Sequence, residues 1–146
     1  MKALLSILIV ALISATISAN PSNKRDYIIT KDGKIVFAKI QFGLLKIKAM
    51  QENGEKTKFD YSSVESYQMN GETYSQKPLY NDKHYEGMVF MKKIGWRNGL
   101  GLYCYEDPLI ISSNNKRYFV YKDETTLWLE VDSRSAENIQ RFYNRM

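Results

Sequence analysis

The sequence predicts a mainly β fold: antiparallel strands forming an SH3-like small barrel or roll, followed by a β-meander, with one C-terminal α-helix. Three observations predict it. Asx-Gly pairs (Asp32-Gly33, Asn53-Gly54, Asn70-Gly71, Asn98-Gly99) punctuate short apolar-polar runs, and such pairs suit hairpins because their turn residues take positive φ. Helical periodicity is confined to the segment 132–146. Hydrophobic residues make up 44% and charged residues 25% of the 146, the balance of a globular domain rather than of a disordered chain or coiled coil.

Ahead of the strands stands a targeting segment. Lys2 supplies positive charge, Ala3–Ile13 is apolar apart from Ser6, and Ser14–Ala19 is small and mostly polar. That is the order of a secretory signal peptide, residues 1–19, cleaved near Ala19. A stretch of eleven residues falls short of the ~20 that span a bilayer. The only cysteine is Cys104, so a lipid anchor on an N-terminal Cys is excluded. The expected mature chain keeps 127 of the 146 residues, with 20 basic and 16 acidic side chains and a net charge of +4. It is expected to be secreted or periplasmic, without a transmembrane segment. Residues 20–25 read as a flexible leader, and 26–146 as one β-rich domain with two lobes, 26–75 and 84–146, sharing one core.

Within the domain, Asp26–Thr30 and Lys34–Phe42 flank Asp32-Gly33. A two-residue loop there pairs Lys31 with Lys34 and sets Asp26 opposite Lys39. It places Tyr27, Ile29, Val36 and Ala38 on one face, and Ile28, Ile35 and Phe37 on the other. Both faces are then apolar, which predicts a hairpin covered on both sides. Leu44–Met50 and Lys56–Tyr61 make the next hairpin. A two-residue Asn-Gly loop would mix apolar and charged residues on each face, which period two disfavours. A three-residue loop, Glu52-Asn53-Gly54, sets Ile47 against Phe59 and Lys46 against Asp60, and puts Lys46, Lys48, Lys56 and Lys58 on a solvated face.

Tyr61–Ser66 reads as a single helical turn, Asn70-Gly71 as a hairpin turn, and 76–83, with Pro78, as a linker. Tyr85–Trp96 is a long strand with Met88, Phe90, Ile94 and Trp96 on one face. A two-residue loop at Asn98-Gly99 sets Trp96 over Gly101 and Lys92 beside Tyr105, the second a cation–π contact. A strand from Pro108 to Ser112, a turn at 113–116, and strands 117–122 and 126–131 follow. Asp132 or Ser133 caps the helix, whose apolar stripe is Ala136, Ile139, Phe142, Tyr143 and Met146.

Little in the sequence carries chemistry. One Cys and one His exclude a disulfide framework and a Cys/His zinc cluster. No phosphate loop, zinc-protease helix or calcium loop is present, and no cofactor, metal or catalytic residue is expected. Cys104 reads as a buried strand residue, with an intermolecular disulfide as the alternative. The acid pairs Glu106-Asp107 and Asp123-Glu124 read as turn and surface acids. A charge of +4 with interspersed acids does not argue for nucleic acid.

The eleven tyrosines remain. Tyr61, Tyr67, Tyr74, Tyr80 and Tyr85 fall within 25 residues and are the candidate binding surface, because Tyr joins a large apolar ring to a hydroxyl at low entropic cost. Strands also enrich Tyr for packing reasons.

Several stretches taken together resemble small secreted proteins of unknown function common in the Bacteroidetes. They are the signal peptide, Tyr27-Ile28 with Gly33, the strand Lys34–Ile40, Tyr61 to Tyr74 with Asn70-Gly71, Gly99 to Tyr103, the aromatics Tyr118, Phe119 and Tyr121, and the C-terminal helix. Those proteins often have Gly where this chain has Ala38. The resemblance implies an envelope-associated β-rich protein and carries over no catalytic residue. The residues favour a non-catalytic binding or interaction module for a protein, peptide or glycan of the envelope. Two alternatives stand beside it: a periplasmic immunity or inhibitor protein against a toxin or hydrolase, and a hydrolase using Cys104 with His84.

Overall fold

The computed structural model describes residues 25–107, 115–123 and 125–144. In chain order the elements are β1 Tyr27–Thr30, β2 Ile35–Phe37, β3 Lys39–Phe42, β4 Lys46–Met50, β5 Lys56–Asp60, a 3-10 turn Tyr61–Ser63, β6 Val64–Met69, β7 Glu72–Asn81, β8 His84–Arg97, β9 Leu100–Glu106, β10 Lys116–Lys122, β11 Thr126–Val131 and the helix α1 Ser133–Asn144. Among the described residues the strands form two antiparallel sheets. The larger has the order β11-β10-β9-β8-β7-β6-β1-β2, and the smaller the order β3-β4-β5. The mainly β class with one C-terminal helix holds, but the sheets do not close into a barrel. The expected strand 108–112 and the first half of the turn after it lie outside the described residues, and Lys116, expected in that turn, begins β10.

Turn chemistry sets most of this order. Asn70 and Gly71 both take positive φ (53° and 80°), as do Asn98 and Gly99 (52° and 76°), the geometry of tight two-residue hairpins. The β4–β5 hairpin has the three-residue loop expected of it. Gln51 and Glu55 close it, Ile47 faces Phe59, Lys46 faces Asp60, and Lys48 faces Lys58.

The first hairpin is shifted by one residue from expectation. Its loop also holds three residues, with Gly33 left-handed at φ 84° and the Thr30 amide bonded to the Lys34 carbonyl at 3.0 Å. Ile28 therefore faces Val36, and Tyr27 faces Phe37. One slip moves every side chain to the other face. Ile28, Thr30, Val36 and Ala38 are buried, while Ile35 and Phe37 stay 55% and 56% exposed. The hairpin is covered on one side, not both. The Asp26 carbonyl receives the Ala38 amide, so Asp26 lies opposite Ala38 rather than Lys39. At Ala38 the chain passes from pairing with β1 to pairing with β4, which carries it from one sheet into the other.

Residues 76–81 are no linker. They continue β7 and pair with β8, Gln76 against Phe90 and Pro78 against Met88. Proline is tolerated because β6 borders β7 only as far as Ser75, leaving the later part paired on one side.

The β8–β9 ladder carries a bulge between Lys93 and Gly95. Trp96 lies opposite Gly101 as expected, but beyond the extra residue Lys92 meets Cys104 instead of Tyr105. The bulge also separates the expected apolar face. Phe90 packs with the core beside β1 and Ile94 with the core under the helix, while Trp96 lies with Tyr103 on the reverse side of the sheet.

Three cores result. The small sheet lays Ile40, Ile47 and Ala49 on Ile28, Val36, Val64 and Tyr67 of the large one. Helix α1 lays Ala136 and Ile139 on Leu102 and Val120. On the reverse face Leu79, Met91, Tyr103, Phe119 and Tyr121 form the third. There the Tyr121 hydroxyl donates to the Pro78 carbonyl at 2.6 Å, tying β10 to β7 across the coil of the sheet. Lys77 is buried in this core with its ammonium 4.6 Å from the Tyr103 ring centroid, a cation–π contact that offsets part of its desolvation.

Candidate functional site: an aromatic trough between the small sheet and the helix

Direct cross-strand pairing aligns Ile28, Tyr67, Tyr74, Lys92, Cys104 and Tyr118 in one row across the large sheet. The small sheet covers the β1 and β6 end of this face, and α1 covers the β9 and β10 end. The middle stays open as a trough of about 790 Å³, within the ~300–1,000 Å³ usual for ligand pockets.

Aromatic rings line much of it. Tyr67 and Tyr74 stack at 4.8 Å between centroids, an 11° tilt apart. Phe90 meets Tyr67 edge-on at 5.0 Å, and Phe42 of β3 approaches Tyr67 at 5.0 Å from the small sheet. Tyr61 follows β5 directly, and its hydroxyl donates to the Gly43 carbonyl at 2.7 Å. Met88 and Val89 complete the apolar part.

The polar groups are few and fixed. Lys92 and Glu72 form an ion pair, and the Tyr74 hydroxyl donates to Glu72 at 2.9 Å. These two bonds hold the Glu72 carboxyl below its ordinary range, Lys92 contributing most. Burial first, then the bond to Glu72, pushes the Tyr74 phenol up to about 12. Burial likewise raises Tyr67, reinforced by Tyr74 and Tyr61. Glu106, paired to Lys116 at 3.0 Å, stands at one end. The Gln76 side-chain amide donates to the Tyr61 carbonyl at 2.8 Å, while its own carbonyl oxygen is buried without a hydrogen-bond partner among the described residues.

Three of the five expected tyrosines, Tyr61, Tyr67 and Tyr74, meet in the trough. Tyr80 and Tyr85 do not. They face each other at 5.8 Å beside the β7–β8 turn, Tyr80 four residues beyond Gln76 on β7 and Tyr85 opposite it on β8. Phe42, Phe90, Glu72 and Lys92 were not among the expected site residues. The alternation in β8 could have paired Phe90 and Lys92, but only the bulge places Lys92 between Tyr74 and Cys104.

Cys104 and His84 are not brought together. Cys104 faces Lys92, and His84 lies eight residues back along β8 at the exposed turn, roughly 25 Å away at ~3.3 Å per residue. Cys104 is buried, and burial raises its thiol, which disfavours the nucleophilic thiolate. Among the described residues no group of three His, Cys, Asp or Glu side chains is placed to hold a metal ion, and no helix is long and apolar enough to cross a membrane. No family model, curated protein or solved structure matches this chain.

Proposed function

We propose that the protein is exported, loses residues 1–19, and acts in the envelope or outside the cell as a non-catalytic binding module whose ligand lies in the trough. The observation that carries this is the convergence of Tyr61, Tyr67, Tyr74, Phe42 and Phe90 around one fixed ion pair, Glu72–Lys92. Apolar walls supply affinity and a few oriented polar groups supply orientation. An extended peptide or an oligosaccharide suits such walls, because both present flat or apolar faces beside hydrogen-bonding groups. The separation of Cys104 from His84 supports the non-catalytic reading.

The test is titration of a defined panel of peptides and oligosaccharides, read by chemical-shift changes of the trough aromatics. Tyr74→Ala and Lys92→Ala are expected to weaken binding at least tenfold with the fold retained. Binding that both variants leave unchanged, or that shifts only residues outside the trough, would reject the site.

A further inference from the structure

The small sheet has a second, outward face with a different chemistry. Its inner side chains, Ile40, Ile47 and Ala49, belong to the core. Its outer side chains follow from the register: Lys39, Met50 and Lys56 in one row, Gln41, Lys48 and Lys58 in the next, then Lys46 and Asp60. Five lysines thus meet one carboxylate on this face. Asp60 pairs with Lys46 at 3.4 Å, and Lys48 stands directly opposite Lys58. Like charges opposite each other destabilise a sheet, and nothing in the hairpin requires two lysines there.

At the end of this sheet the β3–β4 turn carries Leu44 and Leu45, 96% and 78% exposed. Two adjacent leucines stand bare to water at a turn and pack against nothing among the described residues. The turn is nonetheless held in shape. The Gly43 amide bonds the Lys46 carbonyl at 2.9 Å, and the Gly43 carbonyl takes the Tyr61 hydroxyl. A side chain at Gly43 would begin 3.0 Å from the Lys46 carbonyl oxygen, so the turn is both tight and fixed.

We propose that this end of the small sheet docks on an anionic phospholipid bilayer, with Leu44 and Leu45 entering the interface and the lysine rows lying against the headgroups. Charge complementarity selects the partner. Successive rows lie about 7 Å apart along the strands and neighbouring strands about 4.8 Å apart. The Lys46 row and the Lys48–Lys58 row therefore lie within roughly two Debye lengths of the tip at physiological salt. An apolar insert flanked by lysines matches an interface that is apolar below and anionic above, where each basic side chain contributes about 1 kcal/mol. A soluble acidic polymer would use the lysines but not the leucines. The lysine rows lie on the face of the small sheet turned away from the core, and the tip meets the trough only through Phe42 and the Tyr61 bond to Gly43.

The experiment places a polarity-sensitive fluorophore on the tip by Leu45→Cys, in the chain from Asn20 onward, which keeps every described strand and the helix. Removing residues 3–13 prevents that apolar segment from partitioning into lipid, and Cys104→Ser leaves the tip thiol as the single labelling site. Vesicles of phosphatidylcholine with phosphatidylglycerol are expected to shift the emission to the blue, with pure phosphatidylcholine doing so only at far higher lipid. Lys48→Gln with Lys58→Gln is expected to raise the half-maximal lipid concentration about 30-fold, from ~1 kcal/mol per lysine. Leu44→Ser is expected to raise it at least tenfold. No blue shift with anionic vesicles overturns the proposal, as does equal response to neutral ones. Vesicle binding, measured by sedimentation, that leaves the tip emission unshifted would also overturn it, because the leucines would then take no part in docking.

Discussion

Gly101 has no room for a side chain. A Cβ there would begin 2.6 Å from both the Trp96 and the Tyr103 rings, so Gly101→Ala must displace one of two large aromatics. A loss of about 2 kcal/mol is expected, read as a lower urea midpoint with unchanged slope. At Gly71 nothing lies within 4 Å of a Cβ, but φ is +80°, so Gly71→Ala is expected to cost less, about 1 kcal/mol of backbone strain. The buried tyrosines give the fold an alkaline limit. Burial raises the phenols of Tyr67 and Tyr121 well above the ordinary value, which is about 10 in the unfolded chain. The folded state therefore keeps protons that the unfolded state loses. Their contribution is complete below pH ~10 and declines as pH rises through the folded values. Stability measured by urea between pH 8 and 11 should fall at the alkaline end, and Tyr67→Phe should fall less steeply than the parent. Equal slopes would mean that Tyr67 ionises freely. At this scale the sequence was informative where a residue's neighbour is set by a turn: Trp96 over Gly101 was legible from the Asn98-Gly99 loop alone. The burial of Lys77 against Tyr103 was not, because it depends on β10 and β9 closing over a residue expected in a linker.

Among the elements, the helix shows how a local signal becomes an anchor. Asp132 accepts the Ser135 amide at 2.9 Å and the Ser135 hydroxyl at 2.8 Å, and these bonds hold its carboxyl below the ordinary range. Asp132→Ala removes the cap, so the first turn of α1 should fray, with faster hydrogen exchange at the Ser135 and Ala136 amides and weaker helical circular dichroism. Exchange no faster than in the parent would show that packing of Ala136 and Ile139 alone holds the turn. Because the depressed carboxyl must be ionised to cap, the same fraying is expected in the parent as pH falls below ~4. The hairpins divide in a way that explains what was legible. Both early hairpins have three-residue loops with a left-handed glycine third. In the second, the alternation of Lys46, Lys48 and Lys58 against Ile47 and Phe59 selects that loop over a two-residue one. In the first, both candidate faces are apolar, so period two cannot choose, and the packing of Ile28 and Val36 against the small sheet sets the register.

For the molecule as a whole, β7 and β8 join what the sequence divides into two lobes. Phe90 of β8 packs against the first core, and Leu79 of β7 belongs to the core made by β8, β9 and β10. A fragment 20–83 would keep β7 but lose its partner β8, leaving a ten-residue strand as an open edge beside exposed Tyr74 and Leu79. It is expected to aggregate; a soluble fragment with a cooperative melting transition would show that the first core stands alone. The sequence by itself determined where the Asx-Gly turns fall, the three-residue loop and lysine-bearing face of the β4–β5 hairpin, and the one C-terminal helix, because turn geometry and period two are contained within a few neighbouring residues. Only the tertiary structure decided the register of the first hairpin, the continuity of β7 through Pro78, and the bulge that puts Lys92 opposite Cys104. Those depend on residues far apart in the chain competing for the same space, as when the extra residue Ile94 packs against the cluster of Leu102, Val120 and Ala136. The trough belongs to the second group: its tyrosines were countable in the sequence, but their meeting with Phe42, Glu72 and Lys92 follows from how the two sheets and the helix divide one face between them.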